Sequence, residues 1–136
     1  MLARARTGCY PRGSLKEMPD RLRELAFVRH EGLFCVRPEC RAGIEFAQQD
    51  VRIAQPDGLF DLILCRNLVF TYFARVLQAA LLERLVDRLR PGGGLVIGRG
   101  ERLPIARPDL ERWVPDLPIY RRNDRPRGTA SDAVRI

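Results

Sequence analysis

The clearest pattern along the chain is an apolar run, followed by a long amphipathic stretch and a second apolar run. Residues 59–65 are almost continuously apolar, as expected for a strand buried on both faces of a parallel sheet. Residues 72–90 place apolar side chains at helical spacing, and Pro91 with the glycines after it ends this helix. Residues 94–98 then form a second buried strand. The apolar stripe of the helix consists of Val76, Ala80, Leu81, Leu85 and Leu89.

This strand–helix–strand order predicts a βαβ unit with parallel strands and a right-handed crossover. The fold class is therefore α/β, and folds of this class bind their ligands at the carboxyl ends of the strands. Residues 118–122 have the pattern of a strand at the edge of the sheet. Residues 123–136 are polar and offer no packing face, so we expect a flexible tail after a folded part that spans residues 1–122.

The upstream part of the chain has weaker signals, which alternate between short helices and turns. Residues 1–7 have the pattern of the end of a helix, and Ser14 with Glu17 three residues later has the capping-box spacing of a helix start. We expect a further helix over residues 20–26. Three shorter elements follow, namely an extended piece at 32–36, a brief helix from Pro38 and a strand at 43–47.

The composition narrows the possible functions only a little. The 136 residues are 46% hydrophobic and 30% charged, which is typical of a globular domain. The net charge of +7 raises the question of nucleic-acid binding, but only one of the 24 basic residues is a lysine, and the arginines are spread along the whole chain. We expect no nucleic-acid partner. No apolar run reaches the roughly 18 residues of a membrane helix and no leader is recognisable, so we expect no membrane insertion and a cytoplasmic location.

The four cysteines do not have the spacing of a metal site. Cys35 and Cys40 are close in sequence, but no second pair and no nearby histidine completes a set of ligands, because His30 is the only histidine. We therefore expect free thiols in a reducing compartment and no bound metal.

Two polar segments directly follow predicted strands. Asp50, after the strand at 43–47, is either a carboxylate that accepts from an exocyclic amine or an aspartate that caps a turn. Arg66 and Asn67 follow Cys65 at the end of the first buried strand. Arg66 presents a cationic fork that suits a carboxylate, and Asn67 can both donate and accept. The alternative is that Asn67 caps a helix while Arg66 extends into solvent.

The chain resembles the second half of class I, S-adenosylmethionine-dependent methyltransferases. The resemblance begins with FAQQDV, FDLILCRN and LRPGGGLVIG, in this order. Further segments make it similar to the CheR-type family of chemotaxis protein-glutamate O-methyltransferases over about residues 1–122. These segments are RTGCYPRGSLKEMPDRLRELAF, CVRPECRAGIEFAQQDV, IGRGERL and PIYRR.

The resemblance implies roles for matching residues. Asp50, with Val51 beside it, would lie next to the adenine of S-adenosylmethionine. Cys65, Arg66 and Asn67 would line the cofactor pocket at the end of the family's fourth strand. We expect no metal in this site.

The resemblance also implies a catalytic position for Tyr72, near the methyl group and the incoming glutamate. The residues alone allow the alternative that Tyr72 is an aromatic at a helix start that packs on the core. The motif departs from the family's pattern by one residue inserted before Tyr72, and Arg99 and Gly100 replace a histidine and a serine of the family.

The resemblance implies a Rossmann-like sheet that is N-terminally incomplete and ends in an antiparallel C-terminal edge strand. The family's glycine-rich loop, and the acidic residue that binds the ribose, have no counterpart among the 136 residues. In the family's sheet order, the strands that carry them lie between the third strand, at 43–47, and the fourth, at 59–65. We therefore expect a truncated chain that is inactive alone and associates non-natively through exposed strand edges.

The implied reaction is methyl transfer from S-adenosylmethionine to glutamate side chains of chemoreceptor-like proteins, giving methyl esters. Two alternatives remain open. The chain is a non-catalytic remnant that acts as an interaction module, or it is a methyltransferase with a different acceptor.

Overall fold

A computed structural model describes residues 2–123, and the chain divides into two units, one ending at Asp50 and the other beginning at Val51. No helix in the described part is long and apolar enough to cross a membrane. Most of the predicted tail, from residue 124 onward, lies outside the described residues. Asn123 is described, and its backbone N–H donates to the carbonyl oxygen of Asp109 at 3.0 Å.

The first unit is built on a small antiparallel sheet in the order β1-β3-β2. A two-residue turn joins β2 to β3, and both of its residues, Glu31 and Gly32, have positive φ, as a tight hairpin requires. The elements are α1 (Leu2–Thr7), β1 (Cys9–Tyr10), a 3₁₀ helix (Arg12–Leu15), α2 (Asp20–Ala26), β2 (Phe27–His30), β3 (Leu33–Val36) and α3 (Pro38–Arg41).

Four predictions for this unit are confirmed, namely the short helices α1, α2 and α3 and the extended piece at β3. The strand predicted at 43–47 is wrong, because no described strand pairs with this irregular segment and Ile44 is 51% exposed. The capping box is also wrong. Pro11, with φ fixed near −69°, starts the 3₁₀ helix, and Ser14 lies inside it instead of capping it.

Cys9 and Cys35 lie directly opposite each other on β1 and β3 and form a disulfide. The prediction of free thiols is therefore wrong for this pair, whereas Cys40 and Cys65 are free. The two cysteines are 26 residues apart in sequence, and only the antiparallel register brings them together. Sequence spacing carries no information about that register.

The second unit contains a mixed sheet in the order β4-β5-β7-β6. β4 and β5 are parallel, with Cys65 opposite Ile97, and helices connect them, which confirms the predicted pair and its helical bridge. β7 is antiparallel to β5, but β6 and not β7 holds the outer position of the described sheet. The elements are β4 (Phe60–Cys65), α4 (Val69–Tyr72), α5 (Arg75–Asp87), β5 (Leu89–Ile97), β6 (Leu110–Arg112) and β7 (Ile119–Arg122).

The helix predicted over residues 72–90 is confirmed as α5 but is shorter at both ends, because Tyr72 belongs to the separate short helix α4 and Leu89 begins β5. At the junction of α4 and α5, the buried side-chain Nε2 of Gln78 donates to the carbonyl oxygens of Phe70 at 3.4 Å and Phe73 at 2.8 Å. These bonds satisfy carbonyl groups at the end of α4. The predicted stripe is wrong for Val76 and Ala80, which are exposed. The buried residues of α5 are Gln78, Leu81, Leu82, Leu85 and Val86.

The core of the second unit lies where α4 and α5 pack on one face of the sheet. On β4, Leu62 and Leu64 are 54% and 65% exposed, so the prediction of a strand buried on both faces is wrong for this structure. β4 is also the outermost strand of the described sheet on its side. The core residues are Cys65, Val69, Phe70, Leu81, Leu82, Leu85, Val86, Leu89, Leu95, Ile97 and Leu110.

The glycines that were predicted to stop the helix form a bulge within β5. Phe60 is opposite Leu89, whereas Leu62 is opposite Gly94, so the segment between them has no counterpart on β4. A Cβ on Gly93 would lie 2.9 Å from the carbonyl oxygen of Arg90, which explains why glycine is required there.

Candidate functional site

The carboxyl ends of β4 and β5 are neighbours in the sheet, because Cys65 pairs with Ile97 in parallel register. The chain leaves β4 through a turn at Arg66–Leu68 and leaves β5 through a turn at Gly98–Glu101. The two turns therefore lie side by side at the edge where α/β folds bind their ligands. This edge is the candidate site of the second unit.

Glu101 ties the two turns together. Its carboxylate is buried and accepts from the backbone N–H of Asn67 at 3.0 Å and from the hydroxyl of Thr71 at 2.5 Å. The backbone N–H of Gly98 donates to the same carboxylate. One side chain thus holds the turn after β4, the start of α4 and the end of β5 in a fixed relation.

The hydrogen bonds keep Glu101 ionised. Burial alone would raise the pKa of Glu101, but bonds from Thr71 and from the backbone N–H groups of Gly98, Asn67 and Leu68 outweigh burial and lower its pKa below 4.5. A buried carboxylate with several donors is stable only while those donors stay in place. Glu101 therefore makes the two turns a rigid pair.

Cys65 behaves differently at the same edge. Burial raises the pKa of its thiol, and the negative charge of Glu101 raises it further, which outweighs a backbone hydrogen bond involving Val69. The thiol is therefore neutral near pH 7 and is a packing group at the end of β4, not a nucleophile.

Asn67 and Gly98 are held close to this carboxylate. Asn67 has a φ of 52°, the left-handed conformation that asparagine tolerates better than most residues. A Cβ on Gly98 would lie 2.6 Å from Oε2 of Glu101 and would also overlap Oδ1 of Asn67. Only glycine fits at position 98 without moving the carboxylate or the asparagine.

Replacing Gly98 with alanine should therefore destabilise the second unit by about 1–3 kcal/mol, because the new methyl group displaces Glu101 from its donors. Urea denaturation followed by the fluorescence of Trp113, the only tryptophan, measures this change. Gly100→Ala is the matched control, since a Cβ there would meet no atom within 4 Å. Equal stability of the two variants would contradict the proposed crowding.

The structure brings Cys65, Arg66 and Asn67 together at this edge. Arg66 is exposed, and Asn67 does not cap a helix, because Leu68 holds the N-cap position of α4 without a side-chain bond. That alternative for Asn67 is wrong. Tyr72 ends α4 and is 74% exposed, so the alternative that it packs on the core is wrong as well.

Asp50 and Val51 lie where the two units meet in sequence. Asp50 is the last residue of the first unit and is partly buried, and Val51 begins the second unit and packs against its core. A shared pocket for Asp50, Arg66 and Asn67 stays a prediction. The same holds for the catalytic role of Tyr72.

Sequence reasoning missed Glu101 as a member of the site. The segment IGRGERL carries part of the resemblance, but the resemblance implies no role for its carboxylate. A usable signal was present, since Glu101 follows a buried strand and a glycine-containing turn at the ligand-binding edge. Its partners could not be predicted, because Asn67 and Thr71 precede it by 34 and 30 residues.

The second unit is an α/β arrangement in which a parallel strand pair with a helical bridge is extended by antiparallel strands, and it fits the class I methyltransferase fold of the family that the chain matches. Residues 1–116 match the family described as CheR methyltransferase, SAM binding domain. The chain belongs to this family.

Relatives carry the name chemotaxis protein methyltransferase. The one from Listeria innocua is 33% identical over 103 residues, covering 76% of this chain and 39% of the relative. Chemotaxis protein methyltransferase 2 of Pseudomonas aeruginosa is 38% identical over 105 residues, 71% of this chain and 36% of the relative. The Klebsiella aerogenes relative is 35% identical, with 74% and 37% covered. The chain thus spans well under half the length of these relatives.

Proposed function

We propose that this chain forms part of an S-adenosylmethionine-dependent methyltransferase that converts glutamate side chains of chemoreceptor-like proteins into methyl esters. The observation that carries the proposal is the braced pair of polar turns at the carboxyl ends of β4 and β5, in a member of the CheR family. The relatives' name supports a chemotaxis role.

The proposed cofactor-binding residues would cover one side of S-adenosylmethionine. Arg66 offers an exposed guanidinium for a carboxylate of the ligand, and Asn67 offers an amide that donates and accepts. Asp50, with Val51 beside it, would accept from the adenine amine. When bound, the cofactor supplies a methyl group on a positively charged sulfur.

The protein would contribute to the reaction mainly by positioning the two reactants. A glutamate carboxylate is already ionised near pH 7, so it needs no general base to become a nucleophile. The protein mainly has to align this carboxylate with the methyl group and exclude water. Tyr72, exposed at the end of α4, is proposed to contact the incoming glutamate.

The other side of the cofactor would come from polypeptide outside these 136 residues. Support comes from β4, which is the outermost described strand and exposes Leu62 and Leu64. A cavity of about 230 Å³ adjoins it, lined by Val51, Phe60, Leu62 and Leu85 among others. The buried Nε2 of Gln55 in its wall lacks a hydrogen-bond partner among the described residues. A polypeptide segment that pairs with β4 would cover the apolar side chains and could satisfy this amide.

Without such a segment, we propose that the open edge of β4 leads to non-native self-association. We also propose a cytoplasmic location, where the Cys9–Cys35 pair would be held mainly as two thiols.

Calorimetry with S-adenosylmethionine tests the cofactor proposal. The 136-residue chain should bind at least about 100-fold more weakly than a longer chain that contains the family's glycine-rich strand, because charge-assisted contacts to the ribose are worth roughly 1.5–3 kcal/mol each. Methyl transfer to a glutamate-containing receptor peptide should be measurable only with the longer chain. Micromolar affinity in the short chain would contradict this assignment of the pocket.

Arg66→Ala in the longer chain should weaken cofactor binding roughly ten-fold or more. The matched control is Arg90→Ala, an exposed arginine that pairs with Asp61 at the opposite end of the same strands. If neither chain length binds the cofactor, the interaction-module alternative is favoured. Binding without transfer to glutamate would favour a different acceptor.

A further inference from the structure

A second feature of the candidate edge is an open groove beside the turn that follows β5. It has a volume of about 670 Å³ and lies between the loop after β5, the strand β6 and the start of β7. Its charged and aromatic lining consists chiefly of Arg99, Arg102, Arg107, Arg112, Asp116 and Tyr120. Four arginines on one groove indicate a negatively charged ligand.

Two of these arginines are already occupied. Arg107 forms a two-bond ion pair with Asp109, at 2.8 and 2.6 Å, and both side chains are buried. Arg112 donates to the carbonyl oxygen of Leu117 at 2.8 Å and stacks on the ring of Tyr120. These two pairs shape the groove and are not available for a ligand.

Arg99 and Arg102 are exposed, and neither has a hydrogen bond or an ion pair with another residue that the structure describes. Glu101 between them cannot neutralise them fully, because its carboxylate is directed at the donors of Asn67, Thr71 and Gly98. Asp116 is the remaining acidic group of the lining. Among the residues that the structure describes, these two guanidinium groups of the groove are therefore without an acidic partner.

The groove shares Glu101 with the candidate cofactor site. Glu101 lines the groove and also holds the turn that contains Arg66 and Asn67. A ligand lying in the groove would therefore contact the loop after β5, next to the turn that is proposed to bind the cofactor. Arg99 and Arg102 belong to this loop and line the groove, so they are placed to contact the acceptor.

We propose that Arg99 and Arg102 are specificity-determining residues that bind carboxylates flanking the methylated glutamate, and so select an acidic protein segment as acceptor. This inference rests on the proposed function. Carboxylates fit better than nucleic acid, because Tyr120 already stacks with Arg112 and offers no free platform for a base. Guanidinium forks bind carboxylates in a planar, two-bond geometry.

The test measures binding of a fluorescently labelled helical peptide with adjacent glutamates to the full 136-residue chain, by anisotropy at low salt. The variant is Arg99→Glu/Arg102→Glu. The matched control is Arg4→Glu/Arg21→Glu, which makes the same change in net charge at two exposed arginines of the first unit. A second peptide with every glutamate replaced by glutamine separates charge from shape.

The groove variant should bind the glutamate peptide about ten-fold more weakly than the control variant, since two attractive contacts become repulsive. The glutamine peptide should bind weakly to all three proteins. Equal losses in the two variants, or no binding of the glutamate peptide up to about 1 mM, would overturn the proposal. Stronger binding of a single-stranded oligonucleotide at the same arginines would overturn it in favour of nucleic acid.

Cofactor binding is measured separately by calorimetry, with the same substitutions made in the longer chain. A loss of peptide binding with unchanged cofactor behaviour supports the acceptor groove independently of the cofactor site. Peptide selection without any cofactor binding, even in a longer chain, would leave the groove in place and refute the methyltransferase proposal.

Discussion

Replacing Glu101 with glutamine should lower the free energy of unfolding of the second unit by about 2–4 kcal/mol. Glutamine has nearly the same shape, but only one oxygen and no charge. Its NH₂ group would face either the hydroxyl of Thr71 or the N–H groups of Asn67 and Gly98, which donate to the carboxylate in the native chain. In the first orientation the hydroxyl of Thr71 would have to accept instead of donate, and in the second the two N–H groups would lose their acceptor. In both orientations the remaining bonds lose the contribution of the negative charge.

Urea denaturation followed by Trp113 fluorescence reports this change, because Trp113 lies in the second unit. Glu111→Gln is the control, since Glu111 is an exposed glutamate on β6 of the same sheet. Its substitution should change stability by less than about 0.5 kcal/mol. A Glu101 variant as stable as the Glu111 variant would show that the two turns are held by other contacts.

The pH dependence follows from the same bonds. The pKa of Glu101 is lowered in the folded chain below its ordinary value of 4.5, so the unfolded chain binds a proton more readily. The stability that Glu101 contributes is therefore fully present above about pH 5 and is lost as the pH falls through the folded-state pKa. The difference between the native chain and Glu101→Gln should shrink accordingly on acidification. A constant difference down to acid pH would mean that ionisation is not the source of the effect.

The parallel pair β4–β5 and its helical bridge could be predicted because their signals are local. An apolar strand, an amphipathic stretch and a glycine-rich stop follow one another in sequence, and topology rules then fix the pairing. The position of Arg66 and Asn67 at the carboxyl end follows from the same rules. The motif FDLILCRN indicated the family, and the match over residues 1–116 confirms it.

The remaining features depend on contacts between residues distant in sequence. Gln78 is polar and lies outside the predicted apolar stripe, yet it is buried, and its bonds to Phe70 and Phe73 could not be predicted from the helical pattern. Leu62 and Leu64 are apolar but exposed, because β4 is the outermost described strand on its side of the sheet. Apolar patterning reveals which side chains favour burial; it does not reveal whether this chain supplies the covering layer.

Among the features that the sequence did not predict, the disulfide has the largest effect on the stability of the first unit. Cys9 and Cys35 enclose a segment of the chain that includes α2 and β2, and the bond restricts the unfolded chain. Closing a loop of this length is worth about 3–4 kcal/mol in the chain-entropy account. A unit of about 50 residues has a small core, so a contribution of this size is a large part of its stability.

Replacing both cysteines of the disulfide, as Cys9→Ser/Cys35→Ser, should therefore lower the thermal unfolding midpoint of the first unit. Dithiothreitol should lower the same midpoint in the native chain. Far-UV circular dichroism measures the loss, and Trp113 fluorescence should report little change in the second unit. Cys40→Ser is the matched control, because Cys40 is an exposed free thiol of the same unit, and this variant should keep its sensitivity to the reductant. If the native chain unfolds at the same temperature with and without reductant, the first unit is held by its hairpin register and packing alone. The disulfide would then add no stability, and the first unit would be equally stable in an oxidising compartment and in the cytoplasm.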